Sequence, residues 1–134
     1  EEQVEDLRRG QILIVEDEDY VSGLLERILE KYHETVVFEN GASALAAFRP
    51  GVYDVALIDL GLPEIPGDKL AREIRLADPS VSCVLITGWQ LAENDVRLDP
   101  FDFHIQKPFR KASQIRRIMS RALSLSHERR HQRP

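Results

Sequence analysis

The chemistry legible in this chain begins with a carboxylate at the end of an apolar run. In "DVALIDLGLP", residues 54–63, Val55-Ala56-Leu57-Ile58 reads as a strand buried on both faces. It stops on Asp59, followed by Gly61 and Pro63. Taken alone this is ordinary, because Asp favours turns. Other apolar runs end in a similar way. "QILIV" leads into Glu16 and Asp17 of "EDED", and "TVVF" into Glu39 and Asn40. "SCVLI" leads into Thr87 and Gly88, and "FDFHI" into Lys107 and Pro108 of "QKPF". Each has a plain explanation by itself: Glu18 or Asp19 as a helix cap, Glu16 and Asp17 as solvated turn residues, Lys107 as a surface lysine. As a set they are chemically complementary. Clustered carboxylates raise one another's pKa unless a cation neutralises them. A hard cation such as Mg2+ takes oxygen ligands and keeps waters, so two or three acids suffice. One carboxylate is then free to act as a nucleophile toward phosphorus, with a hydroxyl and an ammonium where charge develops.

Those residues meet only if the strands are parallel. Apolar positions Tyr20, Val21, Leu24, Leu25, Ile28, Leu29 and Tyr32 repeat with helical period. "GASALAAF" reads as a small helix, and "DKLAREIRLA" as a helix stopped by Asp78-Pro79. "QLAENDVRL" reads as a weak helix, and "ASQIRRIMSRALSL" as a closing one. Strands and helices alternating at this spacing predict an α/β fold, a doubly wound five-stranded parallel sheet with helices on both faces. The continuously apolar runs agree, since such strands are covered on both sides. Ligands of open parallel sheets sit beyond the carboxyl ends of the strands, where these polar residues fall.

The 134 residues suit one domain. No apolar run reaches membrane-spanning length and the first residues are acidic, so neither a membrane segment nor a signal peptide is expected. The single Cys83 has no internal partner and fits a reducing, cytoplasmic setting. From Arg110 onward the chain carries a net +7 against −12 for the remainder. No groove-reading motif accompanies that charge, so direct nucleic-acid binding is not expected. GxxxxGK[ST] and GxGxxG are absent, as is zinc-ligand spacing of Cys or His.

The ordered motifs "ILIVEDED", "DVALIDLGLPEIPG", "VLITG" and "HIQKPF" resemble the receiver domain of bacterial two-component response regulators. The resemblance covers residues 11–125, leaving 1–10 as a lead-in or linker and 126–134 as a basic tail or linker. It implies a flavodoxin-like sheet of order 2-1-3-4-5. It implies that Asp59 accepts a phosphoryl group from a histidine kinase or phosphotransfer protein, in a Mg2+-dependent reaction the domain itself promotes in both directions. Asp17, Glu16, Asp59 and the Gly61 carbonyl would hold the ion. Thr87 would bond the phosphoryl group and move toward it. Lys107 would pair with a phosphoryl oxygen, ahead of a cis peptide to Pro108. His104 would occupy the aromatic switch position, and a second copy would pair through the last helix-strand-helix face. The chain would be a stand-alone regulator or a receiver from a longer protein.

Some positions depart from the family pattern. His104 stands where Tyr or Phe is commoner, Gly88 where Ala is usual, and Trp89 is bulky beside the phosphoryl position. The stretch from Thr87 to Lys107 is short. One alternative is a Mg2+-dependent phosphatase that forms an aspartyl phosphate. Such enzymes usually carry a second Asp two residues after the nucleophile, and that position is Gly61. Another is an interaction module with a silent site, against which the complete set of acids, Thr and Lys argues.

Overall fold

A computed structural model describes residues 8–132. Five strands, β1 (Gln11–Val15), β2 (Glu34–Phe38), β3 (Val55–Asp59), β4 (Ser82–Thr87) and β5 (Phe103–Gln106), alternate with α1 (Asp19–Leu29), α2 (Gly41–Ala47), α3 (Gly67–Ala77) and α4 (Ala112–His131). All pairings are parallel and the order is β2-β1-β3-β4-β5, as expected.

The period of two along each strand builds two cores. Ile12, Ile14, Val55, Leu57, Val84 and Ile86 face one side and pack with Leu25 and Leu29 of α1 and Ile115, Met119 and Leu123 of α4. The intervening Leu13, Val15, Ala56, Ile58 and Cys83 face the other side, against Ala44 of α2 and Leu70, Ala71 and Ile74 of α3. Strands covered on both faces need continuous apolar runs, which is what the sequence supplies. Asn40 caps α2 by accepting the Ser43 N–H at 2.8 Å. α3 ends where Asp78 precedes a proline, because that residue is pushed out of helical geometry.

Three expectations need correction. The helix read in "QLAENDVRL" is absent, and only a 3-10 turn, Val96–Leu98, forms there. Asn94 and Asp95 are poor helix formers, and the Asp95 carboxylate accepts the Arg97 N–H at 2.9 Å, a local bond that competes with helix. Tyr20, placed in the apolar stripe of α1, is 78% exposed. The basic tail or linker expected from residue 126 continues α4 as helix through His131. Its arginines explain why. Arg129 clasps Asp102 with both of its terminal nitrogens, at 2.6 and 3.1 Å. Arg130 donates to Asp54 at 2.6 Å, to the Tyr53 carbonyl at 2.7 Å and to Ser80 at 3.1 Å. The last turns of α4 are thereby tied to the amino ends of β3, β4 and β5. Residues 1–7 of the lead-in lie outside the described residues.

Candidate functional site

The backbone fixes the site before any side chain is considered. Beyond β3, the Leu60 N–H donates to the Ile86 carbonyl at 3.1 Å, and the Gly67 N–H donates to the Leu60 carbonyl at 3.0 Å. Gly67 starts α3 against the Asp59 carbonyl so closely that a Cβ there has no room. The Lys107 N–H continues the β4-β5 ladder to the Thr87 carbonyl at 2.9 Å, and the Lys107-Pro108 peptide is cis. The Glu16 N–H donates to the Phe38 carbonyl at 3.0 Å. Asp59, Thr87, Lys107 and Glu16 thus leave adjacent strands from held backbone.

Their side chains converge. The Lys107 Nζ lies 3.1 Å from Glu16 Oε1, 3.4 Å from Asp59 Oδ1 and 3.2 Å from Glu18 Oε1. Glu16, Asp59 and Thr87 are buried, whereas Asp17 is exposed. The Thr87 hydroxyl accepts the Trp89 N–H at 3.0 Å and keeps its proton for another acceptor. A Cβ placed on Gly61 would lie 3.7 Å from the Trp89 ring and 3.9 Å from Asp59 Oδ2, so indole, glycine and acid are neighbours. His104 is exposed on β5, paired in register with Leu85, two residues before Thr87. Glu18 is the member that sequence reasoning treated only as a helix cap. It makes no side-chain cap and reaches Lys107 instead. Its place inside "EDED" was the available signal.

Crowding sets the protonation. Burial, then the nearby Asp59 charge, pushes Glu16 up to about 7. Burial also raises Asp59, against the pull of Lys107. Burial alone would lower Lys107, but the Asp59 and Glu16 carboxylates outweigh it and hold the ammonium raised. Glu16, Asp17 and Asp59 each bring a carboxylate oxygen within 4.8 Å of the others. Glu16 Oε1 is buried and faces the Lys107 ammonium in an ion pair. One ammonium cannot balance this many carboxylates. An all-oxygen donor set with more negative charge than one ammonium offsets fits a small hard cation such as Mg2+.

The family model described as the response regulator receiver domain matches residues 12–122. The chain therefore belongs to the receiver domains of two-component response regulators. It is 35% identical to the regulatory protein AtoC of Escherichia coli over 120 residues, covering 87% of this chain and 26% of AtoC. It is 38% identical to the response regulator receiver protein CpdR of Brucella abortus over 80 residues, covering 58% of this chain and 66% of CpdR. The chain spans less than two thirds of the length of either relative. Among solved structures it resembles response regulator protein TrrA of Thermotoga maritima, in complex with Mg(2+)-BeF. The TM-score is 0.75 at 27% identity, covering 85% of this chain and 99% of that one. Among the described residues, no helix is long and apolar enough to cross a membrane.

Proposed function

We propose that this domain is a cytoplasmic phosphoacceptor of a two-component phosphorelay, receiving a phosphoryl group on Asp59 from a histidine kinase or phosphotransfer protein. The observation that carries this reading is the meeting of Asp59 with Lys107 at 3.4 Å, inside a set of acids suited to a hard cation. An Asp59 oxygen forms the new O–P bond as the P–N bond of a phosphohistidine breaks, and the electron pair leaves with the imidazole nitrogen. Lys107 stays protonated and faces the phosphoryl oxygens. The Thr87 hydroxyl donates its proton to one of them, which draws the Thr87–Trp89 loop inward. His104, on the outer rim, reports that movement to a partner. Glu16, Asp17, Asp59 and the Gly61 carbonyl are the residues that would hold Mg2+, which when bound offsets the negative charge of acids and phosphate. Rigid strand ends keep these groups in register, the requirement for positioning chemistry. Incubation with acetyl phosphate and Mg2+ should add one hydroxylamine-labile phosphoryl group. Labelling that persists in Asp59→Asn would overturn the assignment.

A further inference from the structure

Lys107 faces three carboxylates, and the proposed phosphoryl transfer gives a part to only two of them. Nζ lies 3.1 Å from Glu16 Oε1, 3.4 Å from Asp59 Oδ1 and 3.2 Å from Glu18 Oε1. The third of these acids differs from the others in exposure. The Glu18 side chain is 63% exposed, against 0% for Glu16 and 10% for Asp59. Glu18 reaches Lys107 from a fixed backbone. Its N–H donates to Glu16 Oε2 at 3.2 Å, and its carbonyl accepts the Val21 and Ser22 N–H groups, each at 3.0 Å, in the first turn of α1. The side chain caps no N–H of that helix and is left to the ammonium. It shares the cleft over Asp59 with Thr87, Trp89 and Lys107.

An ammonium carries three N–H groups, and here three carboxylates already meet it. A phosphoryl group on Asp59 brings about two more negative charges to the position Lys107 faces. To pair with it, the ammonium must give up a carboxylate. Buried Glu16 cannot turn to water without taking a protein partner's place, whereas exposed Glu18 can, so Glu18 is the one displaced. We infer that Glu18 is a positioning residue that holds Lys107 in the unphosphorylated arrangement, competes with the phosphoryl group for it, and so limits the share of the domain that is phosphorylated. This role rests on the phosphoacceptor reading of Asp59. It makes Glu18 a brake rather than a helix cap, and it acts through the Lys107 contact rather than through net charge. Asp19, one residue further on, is also an exposed acid but forms no ion pair with Lys107.

The test titrates beryllofluoride, a stand-in for the phosphoryl group, into the full chain in millimolar Mg2+ by calorimetry. Labelling of Asp59 by acetyl phosphate is timed alongside. Glu18→Gln keeps the length of the side chain and removes its charge. It should bind beryllofluoride about two- to fivefold more tightly than wild type and take label faster, the range of an exposed ion pair. The gain should shrink as salt rises, because exposed charges are screened. Asp19→Asn removes the same charge without touching Lys107 and should change both readings much less. Cooperative thermal unfolding establishes that each variant is folded. Wild-type affinity and rate in Glu18→Gln would overturn the inference and leave the phosphoacceptor reading standing. An equal gain in Asp19→Asn, or a gain that ignores salt, would overturn it as well, by showing that no specific charge contact is involved. A wild-type domain that neither binds beryllofluoride nor takes label would bring down the phosphoacceptor reading and the role of Glu18 together.

Discussion

Gly67 packs directly against the carbonyl of Asp59. A Cβ at Gly67 would overlap that oxygen and come within 2.9 Å of Leu60 Cα, both of them backbone atoms with no freedom to swing away. The residue that starts α3 therefore sets the height at which β3 presents its carboxylate. Gly67→Ala should destabilise the fold by about 1–3 kcal/mol, the usual range for forcing atoms into a packed site. Urea unfolding measures this, and acetyl phosphate labelling of Asp59 should slow in the same variant. Wild-type stability and labelling rate in Gly67→Ala would show that α3 does not constrain Asp59.

Glu16 gives the acid site a pH signature. Its folded pKa is raised from 4.5 to about 7, so the folded state binds more protons than the unfolded state between those values. Stability from this group is present below 4.5 and is lost as pH rises toward 7, by up to about 3 kcal/mol. Asp59 acts in the same direction. Asp78 and Asp102 are lowered from 3.8, so their contribution is lost below that value and leaves the window untouched. In metal-free buffer, Glu16→Gln should flatten the fall in stability between pH 4.5 and 7, as followed by chemical unfolding at each pH. A slope identical to wild type would remove Glu16 as its source.

Mg2+ should raise the melting temperature, because a ligand that binds only the folded state stabilises it by mass action. Asp17→Ala should lose most of that increase while melting no lower than wild type without metal, since Asp17 is exposed and its charge adds to the crowding. Calorimetric scans with and without millimolar Mg2+ decide the point. An undiminished response in the variant would exclude Asp17 as a ligand.

Trp89, 53% exposed, has its ring beside Gly61 and the Arg97 guanidinium 5.8 Å from its centroid. Its emission should change on addition of Mg2+ and again on addition of beryllofluoride, with the second change absent in Asp59→Ala. A silent indole in a protein shown independently to be phosphorylated would mean that the Thr87–Trp89 loop stays still.

Arg130 ties α4 to the amino ends of β3 and β4. Arg130→Ala leaves the buried Asp54 without its 2.6 Å partner. The arginine is partly exposed, so the loss should be about 1–2 kcal/mol, below that of a fully buried pair. Hydrogen exchange should quicken in the last turns of α4. Equal stability and protection would show that the clasp is incidental.

The sheet and most of the acid site were readable from the sequence because β1, β3 and β4 carry unbroken apolar runs and Glu16, Asp59, Thr87 and Lys107 lie at or just past strand ends. Local pattern carries that information. Arg130 is different. Its partner Asp54 is 76 residues away, and no local period announces such a pair, so "HERRHQRP" read as tail. The pairing of Lys107 with Glu18 spans 89 residues and was hidden in the same way. The segment after Trp89 misled for the opposite reason. Its apolar spacing is helical, but Asp95 takes the Arg97 N–H into a turn.

β5 and β2 are the two open edges of the sheet, and strand edges invite pairing with other chains. β5 is four residues long, carries the exposed His104, and is followed by Lys107, Pro108, Arg110 and Lys111. A short strand that runs into cations and a proline makes a poor template for strand addition. The cations that follow β5 thus guard that edge against pairing with other chains, and neutralising them should lower the protein's solubility.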